Sequence, residues 1–485
     1  MASNCTVTTA NNIYTADFTF DAPFQLYLET GDVLYAEKVV RIIPKKRMVV
    51  FGRWQDKTIV AKLFFDPRRA AQHVKNELRG VSLLHDNHIP TPILYLQGKS
   101  ADKNCQVLIF ERIIAAQNIE EMWQAKTSVK ECLPMLRAMM IELATQHVFG
   151  ILQHDLHFKN FLVTPKKIYT LDGAQIESFP AKLDKKISME NLALFLSQLG
   201  VGFEKYQELL FRYYAKARGW ILKPKDIKTL FWFVRKQRDL RWEKFAKKIT
   251  RASTDFASKK SWKSWSVYDR QYAAPEFLAM LANPDTAYHH PSAKILKAGN
   301  SSTVIRVTLD GRDYVVKRYN VKNSWHYLRR CLRMTRATRS WRLAQKLKLN
   351  YLPTPAPVAF IEKRCLGLKG KSYYVTTYVA GQHVGEFFSQ HHNDVEKTTT
   401  MVKRLVALFK NFSALYLSHG DLKATNILID HQQQPLLLDF DGALEHTSKL
   451  ALRKTWRKEI KRFLRNFDNQ PTVQAQFERE DFNFS

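Results

Sequence analysis

Several things are scarce in this sequence, and each scarcity excludes a class of protein. There are five cysteines in 485 residues (Cys5, Cys105, Cys132, Cys331, Cys365), odd in number, scattered, and without a Cys-x-x-Cys pair. That argues against a disulfide framework or a zinc site and for buried or free thiols in a reducing compartment. No window of about 18 apolar residues escapes charge, so no transmembrane helix is expected. The start, Met-Ala-Ser-Asn-Cys-Thr-Val-Thr-Thr, has neither the basic beginning nor the apolar stretch of a secretory signal. The expectation is a cytoplasmic protein, with the option of resting on a membrane surface. Acids are also short, 45 against 76 lysines and arginines, for a formal charge of +31. This excess calls for an anionic partner (nucleotide, nucleic acid, acidic glycolipid or anionic membrane) without choosing among them. By contrast, 45% apolar and 12% aromatic residues are ample for packed cores, and the length calls for two or three domains.

The most informative stretch is 419–442. His-Gly-Asp-Leu-Lys-Ala-Thr-Asn-Ile-Leu-Ile-Asp is followed by a glutamine-rich turn and Leu-Leu-Leu-Asp-Phe-Asp-Gly. Asp421 stands five residues before Asn426, and Asp439 follows thirteen later. Apolar, β-prone flanks make this a loop, strand, turn, strand and acidic loop. A looser copy lies at 153–174, where Asp155, Asn160 and Asp172 are spaced five and twelve apart. One Asp-x4-Asn arises easily by chance. Two copies, each with an upstream strand lysine and a Pro-Thr-Pro (90–92 and 353–355), do not.

The strand lysines are Lys62, in Thr-Ile-Val-Ala-Lys-Leu-Phe-Phe, and Lys317, in Tyr-Val-Val-Lys. After Asp66-Pro67, residues 68–86 read as a helix with a stripe of Val74, Leu78, Val81 and Leu84, and Glu77 falls on or beside it. A charge in an apolar strand and another on an apolar stripe are each costly alone. They can pair with one another, or both can snorkel to solvent. In the second half, counting back from Pro-Thr-Pro puts Ser340 at the position of Glu77, and no acid occurs between Asp313 and Glu362. Lys317 must therefore be held by a carboxylate from elsewhere, by phosphates, or by nothing. Gly299-Asn300-Ser301 forms a candidate phosphate turn, whereas 41–57 offers only Gly52. A polar, turn-rich stretch at 283–291 is the expected boundary between domains at 1–285 (lobes about 1–112 and 113–285) and 291–485 (lobes about 291–380 and 381–485). Residues 190–270 read as helices. Within 216–263, sixteen lysines and arginines stand against four acids, interleaved with tryptophan and phenylalanine. This is either a solvated helix face or a surface for an anionic glycolipid or bilayer headgroups.

Phosphoryl transfer needs this kind of inventory: a strand lysine for the inner phosphates, oxygen ligands for Mg2+, and a carboxylate to orient and deprotonate a hydroxyl. Lys62, Asn160, Asp172 and Asp155 can fill these roles in the first half, and Lys317, Asn426, Asp439 and Asp421 in the second. Asp441 competes with Asp439, because Asp-Gly-Ala at 172–174 also matches 441–443. With Lys-Ala-Gly-Asn-Ser-Ser, Tyr-Val-Val-Lys-Arg-Tyr-Asn, Arg-Ser-Trp-Arg, Pro-Thr-Pro-Ala-Pro, His-Gly-Asp-Leu-Lys-Ala-Thr-Asn and Asp-Phe-Asp in view, the chain resembles the bacterial lipopolysaccharide kinase (Kdo and heptose kinase) family, related to protein kinases. The resemblance covers about 294–465 and, through Val-Ala-Lys, the Glu77 helix and Asp-Leu-His-Phe-Lys-Asn-Phe-Leu, about 30–180. It implies an α+β fold of two tandem, bilobal kinase-like domains, with an antiparallel β N-lobe and a mainly α C-lobe in each. It further implies ATP and Mg2+ as cofactors and a sugar hydroxyl of the lipopolysaccharide core as acceptor, met at the cytoplasmic face of the inner membrane. The alternatives are a kinase for protein Ser/Thr or a small molecule, and a pseudokinase-type scaffold binding nucleotide or acidic lipid. A nucleic-acid binder would explain the charge but neither hairpin.

Overall fold

The computed structural model describes residues 6–320, 333–365 and 368–480. The chain divides into two compact units, Met1–Leu199 with Glu204–Leu240, and Gly200–Phe203 with Arg241–Ser485. Each mixes mainly antiparallel sheet with helices.

In the first unit a seven-stranded sheet runs in the order Thr6–Thr8, Phe24–Tyr27, Val33–Ile43, Arg47–Trp54, Lys57–Phe64, Gln106–Glu111, Leu94–Lys99. Period-two alternation decides its faces. Ile59, Ala61 and Leu63 point into one core with Val50, Val107 and Ile109, so Lys62 points to the other face. There the helix Ala70–Asp86 packs through Val74 against Phe64, Leu108 and Phe110. Its acid is buried, with Glu77 only 2% exposed. The rest of this unit is mostly helical, including Val129–Val148, Lys185–Leu196 and Glu204–Ala217, with the short hairpin Phe161–Val163/Ile168–Thr170 among them. The helix Pro224–Lys248 contains the point of division.

The second unit's seven-stranded sheet runs Phe256–Lys260, Ser264–Asp269, Pro357–Cys365, Leu368–Thr377, Arg312–Tyr319, Ser302–Leu309, Lys294–Ala298. Tyr314 and Val316 enter one core with Phe277 and Met280, and Lys317 again faces the other side. On that side lies the helix Arg336–Leu349, whose Trp341 is fully buried beside Phe256 and Phe360. Asp310 and Gly311 both have positive φ, the backbone of a tight hairpin. The C-terminal portion packs Val395–Ala414 and Lys449–Leu464 around Trp456, Phe463 and Phe467.

Two expectations are corrected. Residues 256–260 and 264–269 are strands, not helix; they pair with each other, and the second of them pairs with Pro357–Cys365 about a hundred residues away. Consequently 283–291 is no linker: Asp285 accepts hydrogen bonds from Arg318 and Tyr373, and Tyr288 donates to the carbonyls of Thr303 and Val316. The division falls near residue 240 rather than at 285. Cys105 and Cys132 are buried free thiols, while Cys5 and Cys331 lie outside the described residues. Among the described residues no helix is long and apolar enough to cross a membrane.

Candidate active site

In the first unit, the Asp-x4-Asn segment folds as a loop closed on itself. Asn160 Nδ2 donates to the carbonyl of Asp155 at 2.8 Å, and Leu171 N donates to the carbonyl of Asn160 at 2.8 Å. The next residue, Asp172, has φ +61°, a left-handed conformation that costs a non-glycine residue energy unless its surroundings impose it. The strand lysine and helix acid meet: Lys62 Nζ pairs with Glu77 Oε1, which also accepts Gly173 N–H at 3.2 Å. Gly80 makes this approach possible, because a Cβ there would lie 2.0 Å from the carbonyl oxygen of Gly173. Burial, together with the nearby Asp172, raises the Glu77 carboxyl above its ordinary value despite Lys62. Burial would raise Asp172 too, but Lys62, the hydrogen bond with Glu77 and Arg47 hold it low. Asp172 Oδ1 is buried without a hydrogen-bond partner, an orphaned carboxylate oxygen of the type a hard cation satisfies. Asp155 is exposed.

The second unit repeats the backbone. Asn426 Nδ2 donates to the carbonyl of Asp421 at 2.8 Å, and Leu438 N donates to the carbonyl of Asn426 at 2.9 Å. The residue after Leu438 is Asp439, with φ +58°. By backbone geometry Asp439, not Asp441, corresponds to Asp172. Lys317 is held by carboxylates from elsewhere, lying 2.6 Å from Asp439 and 2.9 Å from Asp441. Asp441 also accepts from Tyr319 OH at 2.6 Å and lies 3.4 Å from Ser340 Oγ, the residue in register with Glu77. Burial opposes the charge of Asp439, yet Lys317 keeps the carboxyl below its usual value. Asp421 is likewise held low against partial burial, by Lys423 at 2.9 Å and Arg462 at 2.6 Å.

A cavity of about 620 Å3 opens beside these groups. Lys317, Asn426, Asp439 and Lys423 contribute to its wall, and Val304, Val315, Tyr374 and Leu437 supply apolar surface. That size and composition suit a small organic ligand with a charged end. The turn Gly299–Ser301 joins the strands that bring Leu296, Lys297 and Val304 to the cavity, and only the carbonyl of Ser302, at 3.3 Å, comes near a Cβ built on Gly299. Among the described residues no cluster of three His, Cys, Asp or Glu side chains forms a metal cage. An Asn–Asp pair with room for phosphates fits Mg2+, which keeps waters and substrate oxygens as ligands.

Sequence reasoning missed three features. Gly52 is no phosphate turn: it sits within a strand where a Cβ would fall 1.9 Å from the carbonyl oxygen of Tyr35. The turn that matches Gly299–Ser301 by strand order is Pro44-Lys45-Lys46. Glu459, buried on the helix Lys449–Leu464, accepts the backbone N–H groups of both His419 and Gly420 and so fixes the loop before Asp421. In the first unit neutral groups do this work: Asn191 donates to the carbonyl of Gln153, and Gln198 bonds Leu156 and Phe158.

A strand lysine, a closed Asp-x4-Asn loop and a left-handed aspartate around one cavity have the layout of a kinase. Residues 291–481 match the lipopolysaccharide kinase (Kdo/WaaP) family model, a match over less than half of the chain that supports a kinase. A search of curated proteins finds no match to the chain.

Proposed function

We propose that the protein transfers the γ-phosphate of ATP to a sugar hydroxyl of the lipopolysaccharide core, on Kdo or heptose, and that the second unit carries the turnover. The observation that carries this reading is the cavity with Lys317, Asn426, Asp439 and Lys423 in one wall. Lys317 Nζ would neutralise the inner phosphates, and backbone N–H groups of Gly299–Ser301 would cover them. Asn426 and Asp439 would hold Mg2+, which, bound with ATP, supplies charge neutralisation at the transferring phosphoryl group. Asp421, kept anionic by Lys423 and Arg462, would orient the acceptor hydroxyl and take its proton at a carboxylate oxygen. The matched family supports lipopolysaccharide as the acceptor class; the choice of sugar is ours to propose.

The shared strand order supports a further part of this reading, that the first unit is a second kinase-like, bilobal domain in tandem. Its Lys62, Glu77, Asn160, Asp172 and Asp155 would form the corresponding site. The test offers Mg-ATP with purified core oligosaccharide, a generic Ser/Thr protein and an aminoglycoside side by side. Phosphate should appear on the core sugar and be lost in Asp421→Asn. Transfer only to protein or aminoglycoside would replace the acceptor, and nucleotide binding without any transfer would favour a scaffold.

A further inference from the structure

The matched family segment begins at residue 291, yet the second unit's sheet contains two strands from before it. Phe256–Lys260 and Ser264–Asp269 form a hairpin laid along Pro357–Cys365, which would otherwise be the sheet's edge. Covering an edge is one sufficient use for such a hairpin. Its tip has a different character. Trp265 packs inward, its ring 4.9 Å from that of Phe360, while Trp262 is 78% exposed. The tip is ordered: Ser261 N donates to the carbonyl of Ser264 at 2.7 Å, and Ser261 Oγ accepts from Lys263 N and Ser264 N. Lys259, Lys260 and Lys263 flank Trp262 along the chain, all exposed and none with an acidic partner among the described residues, and Lys260 Nζ lies 5.5 Å from the Trp265 ring centre. A rigid turn that presents one tryptophan among lysines exposes apolar surface that the fold does not use.

Strand register locates this tip. Trp265, Glu362, Ser372, Tyr319 and Ser302 form one row across the sheet. The Trp262 tip and the Gly299–Ser301 turn therefore protrude from the same end, four strand spacings or about 19 Å apart. Leu368, beside the tip on the next hairpin, is exposed as well.

We propose that the 259–263 hairpin tip is a membrane anchor, which inserts Trp262 at the headgroup level of an anionic bilayer while the lysines pair with lipid phosphates. Amphipathic indoles and long basic side chains suit that interface, and a protein charged +31 is drawn to it over long range. Because the phosphate turn leaves the sheet at the same end, an anchored molecule presents its transfer site toward the surface that holds a lipid-linked acceptor. The orientation argument rests on the function proposed above, but lipid binding itself does not.

The test uses the full chain and vesicles of phosphatidylcholine with or without about one third phosphatidylglycerol. Wild type should float with the anionic vesicles and dissociate as salt is raised. Trp262→Ala should weaken binding about tenfold, and the pair Lys259→Gln/Lys263→Gln about thirtyfold, with thermal stability unchanged in both. Phosphorylation of delipidated core oligosaccharide should be unaffected by either variant, and phosphorylation of vesicle-embedded acceptor should fall. Equal binding to neutral and anionic vesicles, no binding at all, or full retention by both variants would overturn the anchor. So would a tip-dependent acidic protein partner with no lipid dependence. Absence of transfer to any acceptor, with tip-dependent vesicle binding intact, would sink the functional reading and leave the anchor standing.

Discussion

The two units solve the same electrostatic problem differently. Both carry five strands in the same order, with the lysine on the third: Val33–Ile43, Arg47–Trp54, Lys57–Phe64, Gln106–Glu111, Leu94–Lys99 in one, and Lys294–Ala298, Ser302–Leu309, Arg312–Tyr319, Leu368–Thr377, Pro357–Cys365 in the other. In the first, Lys62 is neutralised by a helix glutamate, and the turn over the site is Pro44-Lys45-Lys46. In the second, Ser340 replaces the glutamate, Lys317 is clamped by Asp439 and Asp441, and the turn is Gly299-Asn300-Ser301. A proline lacks the N–H that a phosphate cradle uses, and lysine side chains are a poorer fit than small residues for close backbone approach. The lesson is that a complete lysine–glutamate pair does not mark the better-equipped site. The second unit lacks that pair and has the small-residue turn at 299–301, the cavity and a buried carboxylate bracing the loop before Asp421.

This contrast can be broken or sharpened by measurement. Lys317→Met should lower phosphate transfer a few hundredfold, as expected for loss of a preorganised charge, whereas Lys62→Met should leave most of it; equal losses would remove the asymmetry. Acid should weaken both units in the same direction, because burial lowers His419 in the second unit as it does His147 in the first. Burial, opposed by Asn191 and reinforced by Arg218, lowers His147 to about 4. The folded form thus resists protonation, the unfolded chain binds more protons below pH 6.5, and first-unit stability falls as pH drops from about 6.5 toward 4. The loss is of order 3 kcal/mol at the acid end, readable by denaturant melts, and His147→Gln should flatten that part of the profile. Gly52→Ala should destabilise the first unit by about 2 kcal/mol through its clash with Tyr35. Gly299→Ala should leave stability intact and weaken Mg-ATP binding, and calorimetry separates the two outcomes. The smallest effect is expected for Asp441→Asn, about tenfold in transfer, because Asp439 still holds Lys317.

What the sequence made legible follows from local physics. Lys62 and Glu77 stand out because each is a charge on an otherwise apolar surface, which leaves pairing or snorkelling to solvent, and the folded chain pairs them. The doubled aspartate–asparagine spacing was readable because a closed loop fixes it. The shared Pro-Thr-Pro put Ser340 opposite Lys317, where it indeed sits beside Asp441. The missing pieces depend on distant partners. Glu459 lies in Arg-Lys-Glu-Ile-Lys-Arg and reads as a solvated acid until the backbone of His419 and Gly420 is brought against it. The strands within 256–269 have a basic, serine-rich sequence, and they join the sheet as a hairpin whose second strand pairs with the distant Pro357–Cys365. The turn at 44–46 holds no glycine, so nothing in its sequence marks it as the counterpart of 299–301.

The central claim, turnover in the second unit, is tested most directly by phosphorylation of purified core oligosaccharide with the full chain, Asp421→Asn and Asp155→Asn under one set of conditions. The account predicts loss of transfer by about a thousandfold in Asp421→Asn and near wild-type transfer in Asp155→Asn. Undiminished transfer in Asp421→Asn, or its loss in Asp155→Asn alone, would contradict it.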